Sequence, residues 1–355
     1  MNGDYDALLF VSFGGPERAE DVIPFLENVT KGRGVPPERL LAVAEHYHHL
    51  GGKSPINEQN RALIAALARG FEARGIKLPI YFGNRNWAPY LADAVGAMKK
   101  AGVQRALAFI TSAYSSYSGC RQYLGDIERA RSAVPDAPVI EPLRRFFNHP
   151  GFIDAQVERV AAARANLANL VGRDLSKTRM VFTAHSIPRS MASTSDYEKQ
   201  LLSNAQLICE RLGHSRWDLV WQSRSGPPEV PWLEPDILEH LRALHAEGTP
   251  GVVVAPIGFL TDHVEVLYDL DVEARELADE LGLPFARAST VGTHPRFIDT
   301  IIELVRERTE GAPALSVGPL PPRPSACAPG CCPAPVRPAS ALHAAGANRT
   351  KPGGE

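Results

Sequence analysis

Short apolar runs alternate along the chain with longer stretches in which apolar residues recur every three or four positions. The short runs have the length and composition of buried strands, and the longer stretches have the periodicity of amphipathic helices. Strands are predicted at Leu8–Phe13, Ile80–Gly83, Ala106–Thr111, Pro138–Glu141, Arg179–Ala184, Leu219–Gln222 and Val252–Pro256. Strands that alternate with helices at this spacing are typical of parallel βαβ units with helices over both sheet faces.

The helical pattern is found between and after these strands. Helices are predicted at Ala19–Asn28, Pro37–Leu50, Asn57–Arg74, Tyr90–Lys100, Arg121–Ser132, Ile153–Leu167, Tyr197–Leu212, Ile237–Glu247, Val264–Leu281 and Pro295–Glu310. The sequence therefore predicts an α/β fold of two Rossmann-like domains, residues 1–165 and 166–311, whose last helix packs back on the first domain. Residues 312–355 are rich in Pro and Ala and are expected to form an irregular tail.

The bulk composition supports two ordinary domains and excludes some partners. The chain has 355 residues, of which 44% are hydrophobic, and its net charge is -2. No basic excess suggests a nucleic-acid partner, and no apolar run is long enough to cross a membrane. The acidic start, residues 1–6, lacks the features of a secretory signal. We therefore expect a cytoplasmic protein whose cysteines are reduced or bound to metal.

Residues that directly follow strands are the first candidates for chemistry, because open parallel sheets bind ligands beyond the carboxyl ends of their strands. His185 follows the apolar strand Arg179–Ala184. A neutral imidazole at that position can accept a proton or bind a borderline metal ion. A histidine that only caps a loop through hydrogen bonds would have the same sequence pattern.

Three carboxylates recur at intervals of four in the predicted helix Val264–Leu281, namely Glu265, Asp269 and Glu273. On an α-helix this spacing places them along one face, where like charges repel one another. They form either a solvated acidic face near the helix N-terminus or a path for a hydrated cation or for protons. Ser54 precedes another predicted helix and is a candidate anion-facing group.

Five segments, in their order and spacing, resemble the ferrochelatase family: Ser12–Pro16, Gly51–Ile56, Thr183–Pro188, Trp221–Pro227 and Gly258–Glu265. The resemblance covers roughly residues 5–310, and the histidine motif together with the D-H-x-E motif is highly specific. It implies a chelatase-type fold with a porphyrin cleft between two halves. It also implies an enzyme that inserts Fe²⁺ into a free-base porphyrin.

The same resemblance implies roles for individual residues. His185 would face the macrocycle with Glu265 beside it, and both are candidate catalytic groups and ligands of the Fe²⁺ substrate. Asp269 and Glu273 would continue as an acidic path deeper in the pocket. Ser54 and, after the third strand, Tyr123 would contact the edge of the porphyrin.

The porphyrin side of the site departs from the family at one position. Some relatives carry a tyrosine before the first glycine of the first motif, whereas this chain has Phe13. A phenylalanine has no oxygen to coordinate iron, so we expect an apolar floor under the ring. Arg33, Arg121 and Arg224 are candidate partners of the propionates by charge and position.

The five cysteines are unevenly distributed. Cys327, Cys331 and Cys332 lie within six residues of one another, and Cys120 in the first half could add a fourth thiol. Four thiolates suffice for a [2Fe–2S] cluster, and a subset of ferrochelatases, including many actinobacterial ones, has a similar arrangement. The alternatives are a zinc site with the same four ligands and a tail whose thiols bind nothing. Cys209 is expected in the core.

The cysteine arrangement also bears on the substrate. Its resemblance to the actinobacterial enzymes implies coproporphyrin III, and protoporphyrin IX is the alternative. A porphyrin or metal carrier without catalytic activity and a cobalt-inserting relative are competing interpretations, although a carrier would need neither His185 nor Glu265. We expect a monomer.

Overall fold

The computed structural model describes residues 4–334 of the chain. Within them, eight strands form two sheets: β1 Ala7–Ser12, β2 Ile80–Asn84, β3 Arg105–Ile110, β4 Val139–Pro142, β5 Arg179–His185, β6 Trp217–Gln222, β7 Val252–Ala255 and β8 Phe285–Arg287. The strand orders are β2-β1-β3-β4 and β6-β5-β7-β8, and every pair is parallel. The two sheets therefore have the same topology, and the predicted α/β fold is confirmed.

Helices connect these strands. The α-helices in the described part of the chain are α1 Val22–Thr30, α2 Pro37–His49, α3 Ile56–Glu72, α4 Leu91–Lys100, α5 Gln122–Ser132, α6 Pro150–Val171, α7 Arg189–Ala192, α8 Tyr197–Arg211, α9 Ile237–Ala246, α10 Val264–Val266, α11 Ala274–Leu281 and α12 Pro295–Thr309. Two π-helical segments, Tyr117–Arg121 and Leu267–Glu273, lead into α5 and α11.

Side chains alternate between the two faces of each sheet, as a strand requires. In β1, Leu8 and Phe10 pack on the side of α3, whereas Leu9 and Val11 pack against α4 and α5 on the other side. All four side chains are fully buried. The continuous apolar run that predicted this strand therefore reflects burial on both faces.

A single apolar layer lies between the two sheets. It contains the inner faces of both sheets together with α3, α6, α8 and α12. Phe152 of α6 and Phe297 of α12 are fully buried there, with ring centroids 5.7 Å apart. The last helix, α12, thus packs against α3 and α6. Because α6 runs without interruption through residue 165, the division into domains at that residue stays a prediction.

The structure corrects two predicted helices and adds one strand. The stretch predicted as one α-helix over Val264–Leu281 has a π-helical middle, Leu267–Glu273, because backbone bonds reach one residue further there. The helix predicted from Ala19 begins with a 3₁₀ turn at Ala19–Asp21. Strand β8 was not predicted, because three residues are too few to show a period.

The described part of the tail, residues 312–334, contains neither helix nor strand, as predicted. It is nevertheless fixed to the first half. Arg144 donates to the carbonyl of Leu315 at 2.8 Å, and Asn148 donates to the carbonyl of Leu320 at 2.6 Å. Residues 335–355 of the predicted tail lie outside the described residues. Among residues 4–334, no helix is long and apolar enough to cross a membrane.

Candidate active site

His185 is the last residue of β5 and stands opposite Gln222 of β6 in the parallel register. Its Nδ1 lies 2.5 Å from the carbonyl oxygen of Ser186. A carbonyl can only accept, so Nδ1 carries the proton and Nε2 of the neutral ring keeps its lone pair. The hydroxyl of Tyr197 donates to the carbonyl of His185 at 3.0 Å and fixes its backbone. Strand, loop and helix thus all orient this imidazole.

Glu265 faces the free nitrogen of His185. Its Oε1 lies 3.8 Å from Nε2 of His185, and its Oε2 lies 3.9 Å from Nδ1 of His263. The side chains of His185 and Glu265 are 30% and 46% exposed, so both open to solvent. Two imidazoles therefore flank a carboxylate at the mouth of the second sheet, with donor atoms of the kinds that bind Fe²⁺.

A glycine allows the loop that carries Glu265 to approach β5. A Cβ on Gly258 would lie 2.5 Å from Cβ of Ala184, the residue before His185. The amide of Gly258 also donates to the carbonyl of Thr183 at 3.1 Å. A side chain at this position would push the loop away from the imidazole.

The π segment Leu267–Glu273 aims Asp269 into the protein. Ser223 donates to Oδ2 of Asp269 at 2.5 Å, and the amide of Gln222 donates to the same oxygen at 3.2 Å. Ser223 has φ +59°, a region that costs energy for a residue with a side chain. Such local strain is found preferentially at functional sites.

Burial changes the protonation of the acidic line, the row of carboxylates formed by Glu265, Asp269 and Glu273. It raises the pKa of Asp269 to about 8, and the charges of Glu265 and Glu273 act in the same direction, against the hydrogen bond from Ser223. Burial and the neighbouring carboxylates of Asp236 and Glu276 raise the pKa of Glu273. Asp269 therefore exchanges its proton near neutral pH, which suits a relay.

Helix α2 of the first half covers this region. The rings of His46 and Tyr268 stack with centroids 3.8 Å apart and planes 8° apart. Burial and the charge of Arg39 lower the pKa of His46, whereas Glu265 acts to raise it. The first half therefore forms a wall opposite the acidic line.

An aromatic row continues from α2 towards the first sheet. The ring of Phe25 lies 6.0 Å from that of Tyr47 and 6.3 Å from that of Phe13. Phe13 is 37% exposed, and the Arg85 guanidinium lies 5.7 Å from its centroid. Phe13 thus presents an exposed apolar ring that packs on Phe25, as the apolar character predicted for this position requires.

The other predicted porphyrin contacts are placed as follows. Ser54 is 7% exposed and packs against Gly15, where an added Cβ would lie 2.7 Å away. Tyr123 is 6% exposed beneath the Arg85 guanidinium, 4.8 Å from its ring centroid. Arg33 is exposed in the loop between α1 and α2. Their contacts with a porphyrin stay predictions.

Two arginines suggested as propionate partners are engaged elsewhere. Arg121 donates to the carbonyls of Cys331 at 2.8 Å and Ala328 at 2.9 Å, so it holds the tail. Arg224 donates to carbonyls of its own loop, including that of Pro228 at 3.2 Å. Charge and position along the chain do not reveal such partners among the backbone carbonyls.

The thiols of the tail approach Cys120. Sulfurs of Cys331 and Cys332 lie 3.7 Å apart, and Arg145 donates to the sulfur of Cys120 at 3.2 Å. The contact with the Cys332 thiol and the charge of Arg145 lower the pKa of Cys120 to about 5, against the effect of burial. Cys327 contacts Cys331. The fifth thiol, Cys209, is 2% exposed in the core, as predicted.

No group of three or more His, Cys, Asp or Glu side chains within residues 4–334 is arranged to hold a metal ion. The four thiols are therefore not arranged in this conformation as a ready metal site of either kind, zinc or iron–sulfur. They are in contact in pairs, from Cys120 to Cys332, Cys331 and Cys327. A donor set of four thiols, next to arginine cations, has the chemistry of a site for an anionic iron–sulfur cluster.

Comparison with known proteins agrees with this geometry. The family model described as Ferrochelatase matches residues 5–309. The chain belongs to the ferrochelatase family. It is therefore a chelatase, and the predicted enzyme class is confirmed.

Curated relatives of this ferrochelatase family member are similar over nearly their whole length. "Ferrochelatase" of Rhodopirellula baltica is 53% identical, with 92% of this chain and 93% of the relative covered. "Coproporphyrin III ferrochelatase" of Nocardia farcinica is 51% identical, with 95% and 99% covered. The protein of the same name from Streptomyces coelicolor is 49% identical, with 95% and 96% covered.

A solved chelatase structure shares the fold. SirB from Bacillus subtilis with Fe³⁺ has a TM-score of 0.51 and 17% sequence identity, and the match covers 87% of this chain and 98% of SirB. At this identity the likeness concerns the fold alone.

Several residues that shape this ferrochelatase site were not singled out from the sequence. Gln222, Ser223 and His263 lie inside the motifs that carry the family resemblance. They could have been identified by treating every polar residue of those motifs as a candidate site residue. Tyr197 and Arg85 stand outside those motifs. The local pattern around Tyr197 is that of an ordinary core residue, whereas Arg85 directly follows β2, a position of the kind expected to carry chemistry.

We expect D269N to change how stability depends on pH. An aspartate whose pKa rises from about 4 when unfolded to about 8 when folded binds its proton more tightly in the native state. The contribution of that proton is present in full below the unfolded pKa and is lost as pH rises through 8. The Tm of D269N should therefore rise relative to the parent between pH 5 and pH 8.5, measured by thermal unfolding. A difference in Tm that stays constant over this range would contradict the shifted pKa.

Proposed function

We propose that the chain inserts Fe²⁺ into coproporphyrin III, releases two protons and forms the iron porphyrin. The observation that carries the proposal is the pair of His185 Nε2 and Glu265 Oε1, 3.8 Å apart and open to solvent. Support for the porphyrin comes from relatives near 50% identity that are named coproporphyrin III ferrochelatases.

The geometry supports a division of roles. His185 accepts a pyrrole proton at Nε2, because Nδ1 is already committed to the Ser186 carbonyl. Glu265 stabilises the resulting imidazolium or contacts the Fe²⁺ substrate from the same side. Asp269, protonated below about pH 8, passes protons along the acidic line towards Glu273. A carrier that only captures an apolar ring would need neither an oriented base nor a proton path.

The first test concerns the substrate. We expect anaerobic addition of Fe²⁺ to quench free-base fluorescence, with kcat/KM at least about tenfold higher for coproporphyrin III than for protoporphyrin IX. The reason is that two further propionates offer charged hydrogen bonds. Binding without metal insertion would instead support the carrier, and faster turnover of protoporphyrin IX would contradict the proposed substrate.

The second test concerns the base. H185A should lower kcat by at least about 100-fold, in line with the contribution of a general base. The Kd for the porphyrin, measured by fluorescence titration, should change by less than about threefold, because the ring contacts other surfaces. H245A, at an exposed position on α9, is the control and should retain parental turnover. Full turnover by H185A would reject the assignment.

We also propose that Cys120, Cys327, Cys331 and Cys332 hold a [2Fe–2S] cluster. The series of paired thiols from Cys120 to Cys327 supports it, as does the Arg145 cation beside Cys120, which favours the thiolate. When bound, the group would supply a one-electron redox centre. Cys120 of the first π segment and the three cysteines of the tail would then hold the same group and so link these two segments.

The cluster has a test that does not use activity. Anaerobically purified protein should contain about two iron and two sulfide per chain with visible charge-transfer absorbance, as a [2Fe–2S] centre requires. C120S should lose both. C209S should keep them, because Cys209 is buried beside Met180, away from the other thiols. Zinc in place of iron, or equal iron content in C120S and the parent, would contradict the cluster.

A further inference from the structure

The first turn of α8 is bonded to three separate parts of the molecule. Tyr197, its first residue, donates its hydroxyl to the carbonyl of His185 at 3.0 Å. Asp196, the residue before it, accepts from Arg323 of the tail at 2.8 Å. Gln200 exchanges two hydrogen bonds with Ser115 of the first half, at 2.8 and 3.0 Å.

Tyr197 is well placed to transmit a displacement to the imidazole. It is 7% exposed, and its ring lies 5.9 Å from that of Trp221 and 6.3 Å from that of Tyr114. Because the ring is packed on both sides, its hydroxyl cannot swing independently of the helix. A shift of the first turn of α8 would therefore move the donor away from the backbone of His185.

Arg323 connects the same turn to the thiols. One of its nitrogens pairs with Asp196, and the other lies 3.6 Å from the sulfur of Cys331. The side chains of Arg323 and Asp196 are 24% and 45% exposed, so the pair is partly shielded from water. A continuous series of contacts thus runs from Cys331 through Arg323 and Asp196 to Tyr197 and His185.

The hydrogen bonds between Gln200 and Ser115 hold the first turn of α8 in a fixed position relative to the first half of the chain. Ser115 is 2% exposed, and the next residue, Ser116, caps the π segment Tyr117–Arg121. That segment carries Cys120. Two of the four thiols, those of Cys120 and Cys331, are therefore connected to the start of α8.

We propose that Asp196 and Tyr197 are positioning residues, through which the thiol-bearing tail holds His185 in the orientation needed for metal insertion. The proposal rests on the proposed role of His185 but not on what the thiols bind. Neither residue touches the reacting atoms. Their effect should therefore appear in kcat, with little change in the KM for the porphyrin.

A double-mutant cycle tests the proposal. We expect Y197F to lower kcat about fivefold, as loss of one hydrogen bond implies, and R323M and D196N to lower it about threefold each. Because all three act through one series of contacts, Y197F combined with R323M should lose about fivefold, whereas independent effects would give about fifteenfold. The KM for coproporphyrin III should stay within about twofold.

The controls separate this mechanism from general destabilisation. D299N breaks a comparable ion pair, with Arg74 at 2.5 Å, on the face of α12, and should leave kcat unchanged. R323K should restore most of the loss caused by R323M, because a lysine can still pair with Asp196. Additive losses, or an equal loss in D299N, would overturn the proposal while the parent still turns over. If the parent itself failed to insert iron, the proposed function would be at fault.

Discussion

Gln222 stands opposite His185 in the sheet, and the residue is 1% exposed, which buries its side-chain amide. A buried amide must find partners, because each unsatisfied group costs about 1–3 kcal/mol. Its oxygen accepts from Thr183 at 2.7 Å, and its nitrogen donates to the carbonyl of Glu265 at 3.1 Å and to Asp269 at 3.2 Å. This amide therefore fixes the distance between the strand that ends in the imidazole and the segment that carries the carboxylates.

The first half completes the site through contacts of the same kind. The amide of Gln59 on α3 donates to the carbonyl of Asp262 at 3.0 Å and accepts from its backbone nitrogen at 2.9 Å. The side chain of Asp262 in turn pairs with Arg287 at 2.8 Å. Since both sheets also share one apolar layer, the parts of the two halves that flank the site belong to one packed body. This arrangement costs folding free energy at two places: burial raises the pKa of Asp269, and Ser223 adopts φ +59°. Such local losses of stability are common at functional sites.

The features of the fold and of the site that could be predicted from the sequence are those that leave a periodic pattern or a short motif. The strands of both sheets and most helices followed from apolar runs, because burial on two faces or on one stripe leaves a repeating pattern. His185 and Glu265 followed from motifs whose spacing is set by strand ends. Arg121 shows the opposite case: its charge suggested a propionate, but its partners are backbone carbonyls more than two hundred residues away. Tyr197 was missed although its partner, the carbonyl of His185, is only 12 residues away, because a hydrogen bond from a side chain to a backbone carbonyl leaves no pattern in the sequence.

The two π segments show most clearly why a regular period misleads here. One carries Cys120 and the other carries Asp269, so each lies at a site with chemistry. A π turn differs from an α turn by one hydrogen-bond step, and no residue type announces it, so the sequence alone favours a regular helix. The wider turn gives up ordinary helical bonds and is retained where it aims a side chain that an α-helix would place elsewhere. The spacing of the carboxylates at intervals of four is visible in the sequence, but the direction of Asp269 into the protein depends on Gln222 and Ser223. The sequence identifies the side chains that are candidates for this site, whereas hydrogen bonds between separate segments, such as β6 and the second π segment, determine where those side chains point.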